Sequence, residues 1–141
     1  MKYFEEYVSE GVVKKQYADI SRANFLTKES EKAYSSLMKI IKALGIDDEN
    51  ANTVIKTAYD ILMEVIRAEM LKQGYNSVGA GAHEAEVSFT RKLKLSENEV
   101  QFLDQLRYFR NGIMYYGKIL DKEYAENVMK FLDEIYPRLK R

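Results

Sequence analysis

Val54-Ile55-Lys56-Thr57-Ala58-Tyr59-Asp60-Ile61-Leu62-Met63-Glu64-Val65-Ile66-Arg67-Ala68-Glu69-Met70-Leu71 is the stretch that decides the architecture. Val54, Ala58, Ile61, Leu62, Val65, Ala68 and Leu71 recur at intervals of three and four, the spacing of one helical face. The apolar face is broad, and a helix apolar over so much of its surface is expected in the middle of a bundle. Asp47 or Asp48 is read as its N-terminal cap, because a short carboxylate accepts from the unpaired amides of a first turn. Gly74 marks its end.

The pattern continues on both sides. Upstream, a long helix is expected from Val13 or Tyr17 to Leu44. Its inward stripe is Ile20, Ala23, Leu26, Ala33, Leu37, Ile40, Ile41 and Leu44, and Gly45 is its stop. A short helix over about Tyr3 to Val8 precedes it and closes near Ser9-Glu10-Gly11. Downstream, residues 74–82 have no periodicity and three glycines, so they read as a loop. A short helix is expected from His83 to Leu93. Ser96 with Glu99 three residues later forms a capping box that starts a helix through Val100, Leu103, Leu106, Phe109 and Ile113. Gly117 ends that helix. Asp121 caps the last one, with Tyr124, Val128, Phe131, Leu132 and Ile135 inward.

No internal repeat and no sustained strand-like alternation interrupts this series. Short connections between long helices imply antiparallel neighbours. The expected fold is therefore all-α, an up-and-down antiparallel bundle of four to five helices. It forms a single domain over residues 1–141.

Composition narrows the class. A chain of 141 residues, 46% hydrophobic and 31% charged, is globular and can bury one core unaided. No stretch approaches the roughly 18 apolar residues of a membrane span. The opening Met1-Lys2-Tyr3-Phe4-Glu5-Glu6 turns acidic where a signal peptide is apolar. Without cysteine there are no disulfides, thiolate metal sites or cysteine nucleophiles, which fits a reducing compartment. A cytoplasmic protein is expected. Lysine plus arginine and aspartate plus glutamate are both 22, so bulk attraction to nucleic acid gets no support from the composition. Contact with RNA then depends on a local patch. Candidates are Arg91, Lys92 and Lys94, then Arg107 and Arg110; each reads equally as part of a solvated helix face.

The segment from Arg107 to Gly117 departs from this regularity. Arg110 lies four residues after Leu106 and three before Ile113, so it shares their inward face. A guanidinium keeps its charge, so there it either pairs with an internal carboxylate, such as Asp60 or Glu64, or opens onto a polar cleft. Asn111-Gly112 is a turn-forming pair, and glycine within a helix costs about 1 kcal/mol relative to alanine. Such departures cluster at functional sites.

Arg110-Asn111 near the end of the penultimate helix, followed by Tyr115-Tyr116-Gly117 and an amphipathic helix, resembles the HEPN family of small helical proteins associated with RNA. Gly79-Ala80-Gly81-Ala82, running into His83-Glu84-Ala85, is similar to the loop and short helix before that motif. The likeness runs from about residue 74 to the C-terminus, and the first two long helices match in general character alone. It implies a homodimer that binds RNA or a nucleotide. The activity it implies is metal-independent endoribonuclease cleavage of toxin–antitoxin type, in divergent form. Other members are silent helpers of a small nucleotidyltransferase.

Active members follow the arginine and polar residue with a histidine. Arg110 and Asn111 match the first two, whereas Tyr115 and Tyr116 occupy the histidine's window. Metal-free RNA cleavage needs a base for the 2′-hydroxyl, an acid for the leaving oxygen and a cation for the phosphate. Arg110 supplies the cation. Tyrosine, with a reference pKa near about 10, donates a hydrogen bond more readily than it removes a proton. His83 is the only histidine. It reads either as a hydrogen-bonded helix-start residue or as the base, brought to Arg110 by the glycine-rich loop or across a dimer.

The candidate site is thus Arg110, Asn111, Tyr115, Tyr116 and His83. No cofactor and no metal are expected. One histidine leaves carboxylates alone as ligands, and Glu5-Glu6, Asp47-Asp48 and Glu84 with Glu86 form no inward set. The loop of Gly74 to Gly81 lacks the lysine-serine ending of a phosphate-cradling loop. The eleven tyrosines can stack on bases or pack as amphipathic core. The readings that remain are an RNA- or nucleotide-binding protein with divergent cleavage, a non-catalytic nucleotidyltransferase helper, and a purely structural helical dimer.

Overall fold

Leu62, Met63 and Ile66 on α3 (Ala51–Lys72) have no contact with solvent. The computed structural model describes residues 1–140, and among these α3 is the long helix buried nearly all round. Its broad apolar face foretold that position. Each such aliphatic side chain contributes about 1.5–3 kcal/mol on burial, so the core centres on this element.

Three other long helices pack around it. At the start of α2 (Ile20–Leu44), Asp19 N donates to Leu71 O at the end of α3, 3.0 Å away, so the two run antiparallel. Just past the end of α5 (Glu97–Tyr116), Lys118 O accepts from Asn52 Nδ2 at the start of α3, 2.9 Å away. Near the end of α6 (Lys122–Leu139), Arg138 reaches Glu99 at the start of α5, 2.7 Å away. Tyr34 of α2 stacks on Tyr136 of α6 with ring centroids 4.7 Å apart. The helices α2, α3, α5 and α6 therefore alternate up and down in an all-α bundle. Two shorter helices, α1 (Phe4–Ser9) and α4 (Ala82–Phe89), cover one side, joined by the Phe4–Phe89 ring contact at 5.0 Å.

Several local features match the sequence reading. Ser96 and Glu99 form the reciprocal capping box, Gly117 closes α5 in the left-handed region, and Asp121 accepts from Tyr124 N.

The segment before α2 is different. The helix begins at Ile20, because Asp19 accepts from Arg22 N, and neither Val13 nor Tyr17 is helical. Val13–Lys15 forms β1, paired antiparallel with β2 (Tyr75–Ser77), which lies inside the expected loop of residues 74–82. A three-residue strand is too short to show alternation. Gly74 makes the approach feasible. Gln16 N donates to its carbonyl at 2.8 Å, its φ is +81°, and a Cβ there would stand 2.5 Å from Gln16 O.

Other boundaries are also corrected. Neither Asp47 nor Asp48 caps α3, which starts after Asn50. Asp47 and Asn50 instead bond each other's backbone amides, and Asp48 accepts from Lys122 N at the start of α6. Ile20, Ile40 and Leu44, expected inward, are exposed, Ile20 and Leu44 being the terminal residues of α2. The helix expected over His83–Leu93 breaks at Phe89 into a 3-10 turn, Thr90–Leu93.

Candidate functional site

On α3, Asp60, Glu64 and Arg67 follow one another at intervals of four and three, so they share a stripe of the helix surface. That stripe forms a wall of an open cleft of about 630 Å³. Leu26 of α2, His83 of α4, and Arg110, Asn111 and Tyr115 of α5 complete the lining, with Tyr59. Four of the five residues expected from the sequence thus meet in one place. Tyr116 does not. One step further round α5, it lies in an adjoining depression with Tyr108, Asn111, Gly112 and Lys118.

Arg110 resolves its two alternatives by combining them. Its Nη2 stands 3.3 Å from Asp60 Oδ2, a single long contact, and Asp60 is half-exposed. No other hydrogen bond engages the guanidinium among the described residues, and the side chain lines the cleft. An ion pair with so exposed a partner contributes little, so an external anion can replace Asp60.

His83 is organised from below. Its Nδ1 lies 3.0 Å from Glu86 Oε1, three residues along the same helix. The Glu86 side chain is 4% exposed, and its Oε2 accepts from Arg67 Nε at 3.0 Å and Ser77 Oγ at 2.7 Å. Burial pushes the Glu86 carboxyl upward, but the His83 hydrogen bond, the Arg67 charge and the Ser77 hydroxyl outweigh it, so it lies below the usual carboxylate range. An ionised carboxylate only accepts, so Nδ1 carries the proton. Arg67 Nη2, 3.3 Å from that nitrogen, is then a close neighbour rather than a donor to it. This tautomer leaves the lone pair on Nε2, the arrangement of an oriented base.

Four residues of this cluster escaped the sequence reading, Arg67 among them, which reads there as an ordinary charge on α3. Glu86 was not expected to face inward; the signal was the His83-x-x-Glu86 spacing, which puts both on one face. Glu64 was considered only as a partner for Arg110. Instead burial raises its carboxyl above the ordinary range, Arg67 opposing and Glu29 and Asp60 reinforcing the rise. Tyr59 is 4% exposed, yet its hydroxyl finds no hydrogen-bond partner among the described residues. Nothing in the sequence distinguishes it from the other packing tyrosines.

Of the other candidate cations, Arg91, Lys92 and Arg107 are engaged by carboxylates. Arg91 pairs with Glu97 and donates to the carbonyls of Met1 and Lys2, and Lys92 pairs with Glu5. These contacts tie down the N-terminus. Arg107 is held between Asp104 and Glu84. Among the described residues, no group of three histidine or carboxylate side chains is arranged to hold a metal ion. No helix among them is long and apolar enough to cross a membrane.

The cleft therefore presents two guanidinium groups, one oriented imidazole and one carboxyl of raised proton affinity. In comparisons with family models, curated proteins and solved structures, the chain matches none.

Proposed function

We propose that this cleft binds an RNA phosphodiester and cleaves it slowly without a metal ion, as a divergent endoribonuclease. The observation that carries the reading is the meeting of His83, held through Nδ1 by buried Glu86, with Arg110 in one open cleft. The resemblance of Arg110-Asn111 and the glycine-rich loop to HEPN proteins supports the same assignment, and it extends to a homodimer.

In the proposed step, Nε2 of His83 takes the proton from a 2′-hydroxyl. The resulting alkoxide attacks the adjacent phosphorus, forming a cyclic phosphate and breaking the bond to the 5′-oxygen. Glu64, in its protonated form, gives a proton to that leaving oxygen. Arg110 offsets the charge on the non-bridging oxygens. Asp60 competes with the phosphate for Arg110, which keeps ground-state binding weak.

The test is cleavage and binding of single-stranded RNA in a chelator. Arg110→Ala is expected to weaken binding at least tenfold and to abolish cleavage. Asp60→Asn is expected to tighten binding. His83→Ala should spare binding and stop cleavage. Intact cleavage in His83→Ala removes that residue from the mechanism. If Arg110→Ala lowers only stability, the guanidinium is structural and the whole reading fails.

Met114, Tyr115, Tyr116 and Ile119, exposed around the end of α5, favour a second reading. In it the chain is a non-catalytic module that docks on a second copy or on a small nucleotidyltransferase, as silent members of the resembled family do. Binding without cleavage in the wild type, together with a partner-dependent change in light scattering, selects it.

A further inference from the structure

Arg67 and His83 line a second cavity as well as the cleft, so they form the partition between the two. The second cavity has a volume of about 270 Å³. Its other walls come from β2, through Tyr75 and Ser77, from Glu86 beneath, and from Arg22 on the first turn of α2.

Arg22 stands apart from its kind. Arg67, Arg91, Arg107, Arg110 and Arg138 each make an ion pair with a carboxylate. Among the described arginines, Arg22 alone makes none. Only its backbone amide is engaged, with Asp19. Its guanidinium is therefore a whole charge, exposed at the rim of a polar recess whose own carboxylate, Glu86, is already satisfied by three partners. Glu86 does not compete for it, so the charge favours an anion from outside.

We infer that this recess seats the nucleotide next to the scissile one on the same strand, Arg22 taking its phosphate while the chain passes over Arg67 and His83. The inference rests on the reading of the larger cleft as a phosphate site and names its ligand more closely. Two adjoining phosphate positions select an oligonucleotide over a mononucleotide. A base entering so small a recess must be splayed from its neighbours, which selects single-stranded RNA over a duplex. Arg67 lies between the two positions and faces both, so it holds the strand's direction across the partition.

The experiment measures equilibrium binding of a short single-stranded oligouridylate, of a blunt duplex and of uridine monophosphate. The three are compared across salt concentrations for wild type, Arg22→Ala and Arg110→Ala. Arg22 is exposed, so its alanine variant keeps the fold. Arg22→Ala is expected to weaken the oligouridylate about fivefold and to reduce the log–log salt slope by about 0.7, the loss of one single-strand phosphate contact. Uridine monophosphate should bind that variant as it binds wild type, and the duplex should bind weakly to all three.

Unchanged oligouridylate binding in Arg22→Ala, with Arg110→Ala still impaired, overturns the inference and leaves the reading of the cleft intact. Equal loss for monophosphate and oligonucleotide in Arg22→Ala also overturns it, since Arg22 would then serve the first phosphate. Duplex binding as tight as single-strand binding overturns it too. Failure of wild type to bind any of the three overturns the underlying reading and the inference together.

Discussion

The hydroxyl of Tyr59 is buried at the cleft wall with no partner among the described residues, and an unmet polar group of this kind costs about 1–3 kcal/mol. Burial raises its pKa, so the phenol keeps its proton and remains a donor. Tyr59→Phe is therefore expected to leave the thermal midpoint unchanged or raise it, which a melting curve checks. A drop in midpoint would show that the hydroxyl is satisfied within the protein. At this scale Arg110 was legible, because a permanent charge at an inward helical position breaks the amphipathic pattern. Tyr59 and Glu86 were not. Their positions fit an ordinary helix, and their character comes from residues that approach from other elements.

The helix α5 carries Arg110, Asn111 and Tyr115 near its C-terminal end and the Ser96–Glu99 box at its start. Ser96→Ala removes one half of that box and is expected to destabilise the fold by about 1 kcal/mol. Urea unfolding should show a lower midpoint with an unchanged slope. An unmoved midpoint would mean that water replaces the cap at no cost. The turn suggested by Asn111-Gly112 does not form, since the helix runs through both residues to Tyr116. Lys118 explains the glycine. Its amide donates to Gly112 O at 3.1 Å and its Nζ sits 4.0 Å from the Phe109 ring centroid. A Cβ on residue 112 would approach Lys118 Cδ to 3.2 Å. Local propensity favoured a break, and the returning chain overrode it.

For the whole molecule, three tyrosines at helix contacts set an alkaline limit. Burial raises Tyr7, Tyr34 and Tyr124 from 10.0 to about 12, with the carboxylates of Glu84 and Asp133 adding to it for the first two. The folded chain thus holds these phenol protons more tightly than the unfolded chain does. The stability linked to them is fully present below pH 10 and is lost as pH rises from there through about 12. The thermal midpoint should fall across that window together with the appearance of tyrosinate absorbance. Tyrosinate absorbance that rises well before the midpoint falls would show that the contacts do not depend on neutral phenols.

Helix type, several end signals and the central place of α3 were set by the chain's own order of residues. Helical periodicity and capping act across three or four positions, so they are written locally. The end of α3 at Gly74, the box at Ser96 and the stop at Gly117 are all of this kind. Tertiary structure alone decided that residues 67, 83, 86 and 110 converge, that Asp48 serves α6 rather than α3, and that β1 reaches across to β2. Each depends on the relative placement of elements far apart in the chain. That placement follows from how the apolar faces pack together, and no local spacing carries it.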